Sequence, residues 1–137
     1  MTATYDARTI GVSIDRDPRD VYAFVSHPPN LPQWASGLSG LGTALEQVGD
    51  AWVAQAPDGP VTIRFAAPNP LGVLDHWVRP ATGAEVYAPM RVIPNREGSH
   101  LLFTLFRLPT MSDDQFAADA AWVERDLCAL KALLEAS

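Results

Sequence analysis

Ser112-Asp113-Asp114-Gln115 opens a run without Gly or Pro, SDDQFAADAAWVERDLCALKALLE (112–135), in which Phe116, Ala120, Val123, Leu127, Leu130 and Leu134 recur at helical spacing. Residues three and four apart share a helix face, so the run reads as one long helix with a single apolar stripe. Ser112 and Gln115 form a capping-box pattern, and Asp113 and Asp114 suit the positive end of the helix dipole, so these acids need no active site to explain them. A one-sided helix of this length needs a broad apolar surface to lie on.

The chain upstream supplies that surface. From about Gly40 to Arg107 it consists of short β-patterned runs, which bound six strands. The turns between them are Val48-Gly49-Asp50, Pro57-Asp58-Gly59-Pro60, Pro68-Asn69-Pro70, Pro80-Ala81-Thr82-Gly83 and Asn95-Arg96-Glu97-Gly98. Connections this short make consecutive strands antiparallel neighbours. A further strand, Thr9 to Ile14, alternates Ile10, Val12 and Ile14 with smaller or polar residues. After it, Asp17-Pro18 is an N-cap with a first-turn proline, and Val21, Tyr22, Phe24 and Val25 give the helix behind it an apolar face. His27-Pro28-Pro29 stops that helix. Asn30 then caps a second short helix through Leu31, Pro32, Gln33 and Trp34, which ends in the Gly-Ser-rich stretch 36–42.

Alternation assigns faces. Val61, Ile63 and Phe65 oppose Thr62 and Arg64, and Val86, Ala88, Met90 and Val92 oppose Glu85, Tyr87 and Arg91; the first set of each faces the helix. Leu74, His76 and Val78 oppose Val73, Asp75, Trp77 and Arg79. Burying two charged groups is costly, so the His76 set is read as inward. Trp77, Arg79, Tyr87, Arg91 and Arg64 then form an aromatic and arginine stripe on the outer face. Pro89 cannot donate to a ladder and is read as a kink that curves the sheet. The last strand, His100 to Arg107, is apolar on both parities, which predicts a cover over its outer face; a homodimer through that face is the simplest one.

Composition narrows the function. The 137 residues make one domain, 1–137, with 47% hydrophobic and 19% charged residues. No apolar run approaches the ~20 residues of a membrane span, and MTATYDARTI carries no export pattern, so a cytoplasmic address is expected. A net charge of -6 with scattered basic residues speaks against nucleic acid as a partner. The single cysteine, Cys128, rules out an internal disulfide framework and reads as a small buried hydrophobe. His27, His76 and His100 lie on different elements, and no glycine-rich phosphate loop is present, so neither a metal nor a cofactor is expected.

The order of elements, with Val12-Ser13-Ile14 leading to Asp17-Pro18-Arg19-Asp20-Val21-Tyr22-Ala23-Phe24-Val25 and then Asn30-Leu31-Pro32-Gln33-Trp34, resembles the START/Bet v1-like (SRPBCC) superfamily over essentially the whole chain. Its bacterial polyketide cyclase/dehydrase-type members are the nearest in look. The resemblance implies an α+β helix-grip fold: a seven-stranded antiparallel sheet wrapped around the long C-terminal helix, with two short helices after the first strand. It implies packing roles for Val21, Phe24, Val25 and Trp34. Superfamily members share a cavity rather than a catalytic motif, so fold alone does not choose among carriers, receptors and cyclases.

The inward residues define the candidate site. Phe24, Trp34, Ile63, Phe65, Leu74 and His76 line it from the first helices and the middle strands, and Met90, Phe103, Val123, Leu127 and Leu130 from the later strands and the long helix. His76 is the one nominee for catalysis, as an acid or base near neutrality, against the plainer reading of a core histidine bonded to a backbone carbonyl. Three functions follow: binding of a hydrophobic or aromatic small molecule, a cyclase/dehydrase-type reaction using His76, or protein interaction by a domain with a collapsed cavity.

Overall fold

The computed structural model describes residues 3–35, 45–56, 59–81 and 83–136. The Gly-Ser stretch expected to end the second helix lies outside these residues, as do parts of the turns at 57–58 and 82. β1 (Ala7–Ile14) leads into α1 (Pro18–Val25) and a 3₁₀ helix (Pro28–Gln33). There follow β2 (Glu46–Val48), β3 (Ala51–Ala56), β4 (Gly59–Phe65), β5 (His76–Arg79), β6 (Val86–Ala88), β7 (Met90–Asn95), β8 (Gly98–Phe106) and α2 (Asp113–Glu135).

The caps form where the sequence places them, with one exception. The Asp17 carboxylate accepts from the Arg19 N–H at 2.8 Å, and Ser112 Oγ accepts from the Gln115 N–H at 3.1 Å. Asn30, expected as an N-cap, instead sits inside the 3₁₀ helix, its Nδ2 donating to the Phe24 carbonyl at 3.0 Å. The prolines explain the difference: Pro28 and Pro29 end α1, but their fixed φ suits the tighter turn that begins at once.

Every named strand pairing is antiparallel, yet the strands number eight among the described residues and not seven, in sheets ordered β1-β8-β7 and β2-β3-β4-β5-β6. Pro89 is the cause. His76 lies opposite Ala88 and Val73 opposite Arg91 in one unbroken register, with Pro89 between them; its carbonyl accepts from the Thr104 N–H of β8, but it has no N–H to return to Thr104, so the ladder to β8 stops there and β6 separates from β7. The chain passes from one sheet to the other at that point. Around it the backbone is still paired, with the Leu74 N–H on the Met90 carbonyl at 2.8 Å and the Val92 N–H on the Gly72 carbonyl at 3.0 Å. Gly72 permits this approach: at φ 74° it adopts a conformation that favours glycine, and a Cβ there would meet the Val92 oxygen at 2.1 Å.

The core lies between the sheets and α2. Ile14, Val21, Ile63, Leu74, Met90, Leu101, Leu127 and Leu130 are essentially sealed from solvent. α2 lies chiefly along β1, and less along β8. It is tied at both ends. At its C-terminus Arg16 donates to the Leu134 carbonyl at 2.7 Å, Glu135 accepts from the Asp15 N–H at 2.8 Å, and Lys131 donates to the Ser13 carbonyl at 2.7 Å. At its N-terminus Arg107 pairs with Asp113 and donates to the Met111 carbonyl. Cys128 is exposed, which corrects its reading as a buried hydrophobe. One residue beyond Leu127, it is turned by about 100° away from the apolar stripe.

Leu127→Ala should destabilise the protein by roughly 2–5 kcal/mol, since it deletes a fully buried side chain and leaves a space. Equilibrium urea unfolding reads the loss directly, and no loss would mean that the stripe of α2 is not packed as described.

Candidate functional site

Three rings meet inside the fold. His76, at the start of β5, stacks on Phe65 of β4 at 4.8 Å between centroids and meets Phe103 of β8 edge-on at 6.0 Å. The register brings them together: Phe65 pairs with His76, which pairs with Ala88, and Phe103 pairs with Met90 two residues further on. The inward reading of His76 therefore holds, and the ring is buried.

Its protonation follows from its partners. Nδ1 lies 3.0 Å from the Leu74 carbonyl, which can only accept, so Nδ1 carries the proton. Burial pushes the imidazole pKa below its ordinary value, against smaller opposing contributions from the Leu74 hydrogen bond and the Asp75 charge. The ring is neutral, and Nε2 presents a lone pair with no protein partner among the described residues. It is a base and an acceptor there, not a donor that would polarise a carbonyl. Among the described residues one side-chain polar atom, the indole Nε1 of Trp34, is fully buried without a partner.

Asp75 departs from expectation. It was assigned outward because charge is costly to bury, yet it is 7% exposed. Its carboxylate accepts from the Met90 N–H at 2.9 Å, from Arg91 at 3.0 Å and from the Tyr87 hydroxyl at 3.1 Å. Burial alone would raise its pKa, but these hydrogen bonds outweigh it and hold the carboxyl below the usual range. Asp75 is thus a fixed anion bracing the kink, with its oxygens committed. The outer stripe forms as expected: Arg64 lies over Trp77 at 4.6 Å, Trp77 stacks on Tyr87 at 5.4 Å, and Tyr87 stacks on Phe106 at 6.3 Å. Phe106, whose outward position called for a cover, is thereby covered in part by the chain itself.

The other proposed lining residues divide into two groups. Ile63, Leu74, Met90, Leu127 and Leu130 are sealed, and Trp34 nearly so. Phe24, Phe65, Phe103 and Val123 pack on the core yet remain partly accessible. Trp52, Val61 and Val78 share that state and were missed as candidates. Alternation within β3 and β4 offered a signal, since Trp52 pairs with Ile63 across the ladder. Among the described residues no three His, Cys, Asp or Glu side chains gather as metal ligands, and no helix is long and apolar enough to cross a membrane.

The fold, antiparallel sheets packed with a long C-terminal helix in the manner of a helix grip, recurs in solved structures of low sequence identity. Among solved structures, the chain is similar to DynU16, a protein of the dynemicin biosynthetic locus, with a TM-score of 0.68 and 18% identity over 95% of this chain; it spans only 47% of DynU16. It is also similar to an uncharacterised protein from Bacillus thuringiensis, with a TM-score of 0.73 and 15% identity over 93% of this chain and 98% of the other. A third is Aha1 from Colwellia psychrerythraea, determined as a dimer, with a TM-score of 0.69 and 14% identity over 95% of this chain and 96% of the other. At these identities the likeness is one of fold. No family model and no curated protein sequence matches the chain.

The lowered His76 pKa has a consequence for stability. As pH falls, the unfolded chain takes up the proton first, so the contribution of His76 is full above about pH 6.5 and is lost progressively below it. His76→Gln should therefore flatten the decline in Tm between about pH 7 and pH 5 relative to the unaltered protein. Thermal unfolding across that range checks it; an unchanged slope would mean the imidazole titrates as if solvated. The Asp75 contribution, from a lowered carboxyl, would be lost only on further acidification, below about pH 4.

Proposed function

We propose that this protein binds an apolar aromatic molecule bearing a hydroxyl group, held between α2 and the inner face of the sheet containing β3, β4 and β5. One observation carries the reading. Inward-facing apolar side chains, among them Trp52, Val61, Phe65, Val78 and Val123, stay partly accessible around a buried shell, although nothing about their chemistry favours water. α2 lies along β1 and is fastened at both ends, which supports a space between its middle and the far sheet.

Two polar side-chain atoms without a protein partner among the described residues bear on the ligand. The lone pair on His76 Nε2 accepts, and the Trp34 indole N–H donates. A hydroxyl on an aromatic ring offers the donor that His76 Nε2 lacks, and the Phe65 and Phe103 rings offer faces and edges for the remainder. Leaving a buried donor unmatched costs free energy, which a bound ligand would recover.

A second reading, a cyclase or dehydratase of polyketide-like carbonyl compounds, draws on the neutral His76 as a base. The origin of DynU16 in a biosynthetic locus is in keeping with it. Catalysis of this kind also needs a proton donor, and the acid next to His76 in sequence, Asp75, is held as the anion and engaged on the kink. The binding reading needs no such group and is preferred.

Native mass spectrometry of the protein isolated from its own host should show a retained small molecule. In titrations with 2-naphthol, His76→Phe should weaken binding by roughly 1–3 kcal/mol, the cost of an unpaired buried hydroxyl. A catalytic role predicts otherwise: affinity within about tenfold and turnover down by roughly 10²–10⁴. Failure of the unaltered protein to bind any such probe would favour an interaction domain with a filled interior.

A further inference from the structure

The two sheets do not close on each other along β6 and β8. β7 pairs with β8 from Asn95 through Met90, and one more bond follows, from the Thr104 N–H to the Pro89 carbonyl at 3.0 Å. Beyond it no ladder joins β6 to β8, which continues to Phe106 paired on its other side with β1. The side chains still keep the register. Tyr87 stacks on Phe106 at 6.3 Å, as it would if the ladder went on. The seam is thus bridged by rings on the outside where backbone hydrogen bonds are missing.

An apolar cleft of about 360 Å³ opens at this seam. Its walls include Ala88, Phe103 and Leu105, which by strand parity belong to the inner face, together with Tyr87 and Phe106, which belong to the outer face. A continuous sheet would separate those two sets. The inner wall also touches the proposed binding site, since Ala88 pairs with His76 and Phe103 meets the His76 ring at 6.0 Å.

We propose that the seam between β6 and β8 is the route by which an apolar ligand reaches the interior, with the Tyr87–Phe106 stack as its gate. The inference rests on the binding function proposed above. Parting the seam breaks no ladder hydrogen bond between β6 and β8, because none is formed there, and it separates one pair of rings. The gate is tethered: the Tyr87 hydroxyl donates to Asp75, which also holds the Met90 N–H at the end of the seam. Opening therefore requires Tyr87 to swing from an anchored position, while the strands on both sides stay in their sheets.

The test is stopped-flow fluorescence with 2-naphthol as the probe. Tyr87→Ala removes one ring and the tether, Phe106→Ala removes the other ring and leaves the tether, and Tyr87→Phe keeps the stack without the tether. A gate alters the barrier and leaves the end states alone. The two alanine variants should thus raise association and dissociation rates together by about tenfold, with Kd within about twofold, and Tyr87→Phe should do so to a smaller degree. Leu102→Ala, outward on β8 and away from the cleft, should change neither rate. Unchanged rates in variants that still bind would overturn the gate and leave the binding function standing. A rise in dissociation alone, with Kd rising in step, would make these rings ligand contacts and also overturn the gate. Absence of saturable binding by the unaltered protein would remove the binding function and the gate with it.

Discussion

A proline nitrogen has no hydrogen to give, and at position 89 that absence falls on the side facing Thr104 of β8, with Asp75 across from it on the other side. Much of the architecture answers it. The ladder breaks there, one long strand becomes β6 and β7, and each half joins a different sheet. The Asp75 carboxylate takes up the Met90 N–H beside the break, and its buried charge is held by Arg91 and Tyr87. A buried carboxylate in an apolar strand would ordinarily count against the pairing. Here its hydrogen bonds offset the desolvation and keep the register intact through the interruption.

The same break shapes the interior. A sheet divided at Pro89 can curve more sharply than an unbroken one, and α2 is fastened at its two ends while its length follows β1. A helix held in this way need not fill the concavity of the opposite sheet. Ring and aliphatic side chains on β3, β4 and β5 accordingly pack on the core while staying partly accessible. His76 stands where the two sheets meet, and its single backbone bond decides its chemistry: one nitrogen is spent on Leu74, and the other is left basic.

Much of this was legible in the sequence because it is local. The apolar stripe of α2, the cap at Ser112, the proline after Asp17 and the turn at 96–97 each follow from residues a few positions apart, and parity within single strands put His76, Ala88 and Met90 on the inner face. The misreadings have physical causes. Asp75 was judged by the cost of burying a charge, without sight of the three donors that converge on it from positions 87, 90 and 91. Asn30 carried the chemistry of a cap, but the prolines before it had already begun the turn. Cys128 was judged by residue type rather than by its angle on the helix.

The sequence by itself determined which segments become helix or strand and which face of each is apolar, because periodicity, turn chemistry and capping act over a few residues. Only the tertiary structure decided how the strands divide into two sheets, which nitrogen of His76 is protonated, and that Tyr87 and Phe106 bridge an unpaired seam. Those outcomes depend on groups far apart in the chain meeting at hydrogen-bonding or ring-stacking distance, and the spacing of residues along one strand carries no record of what lies across from it.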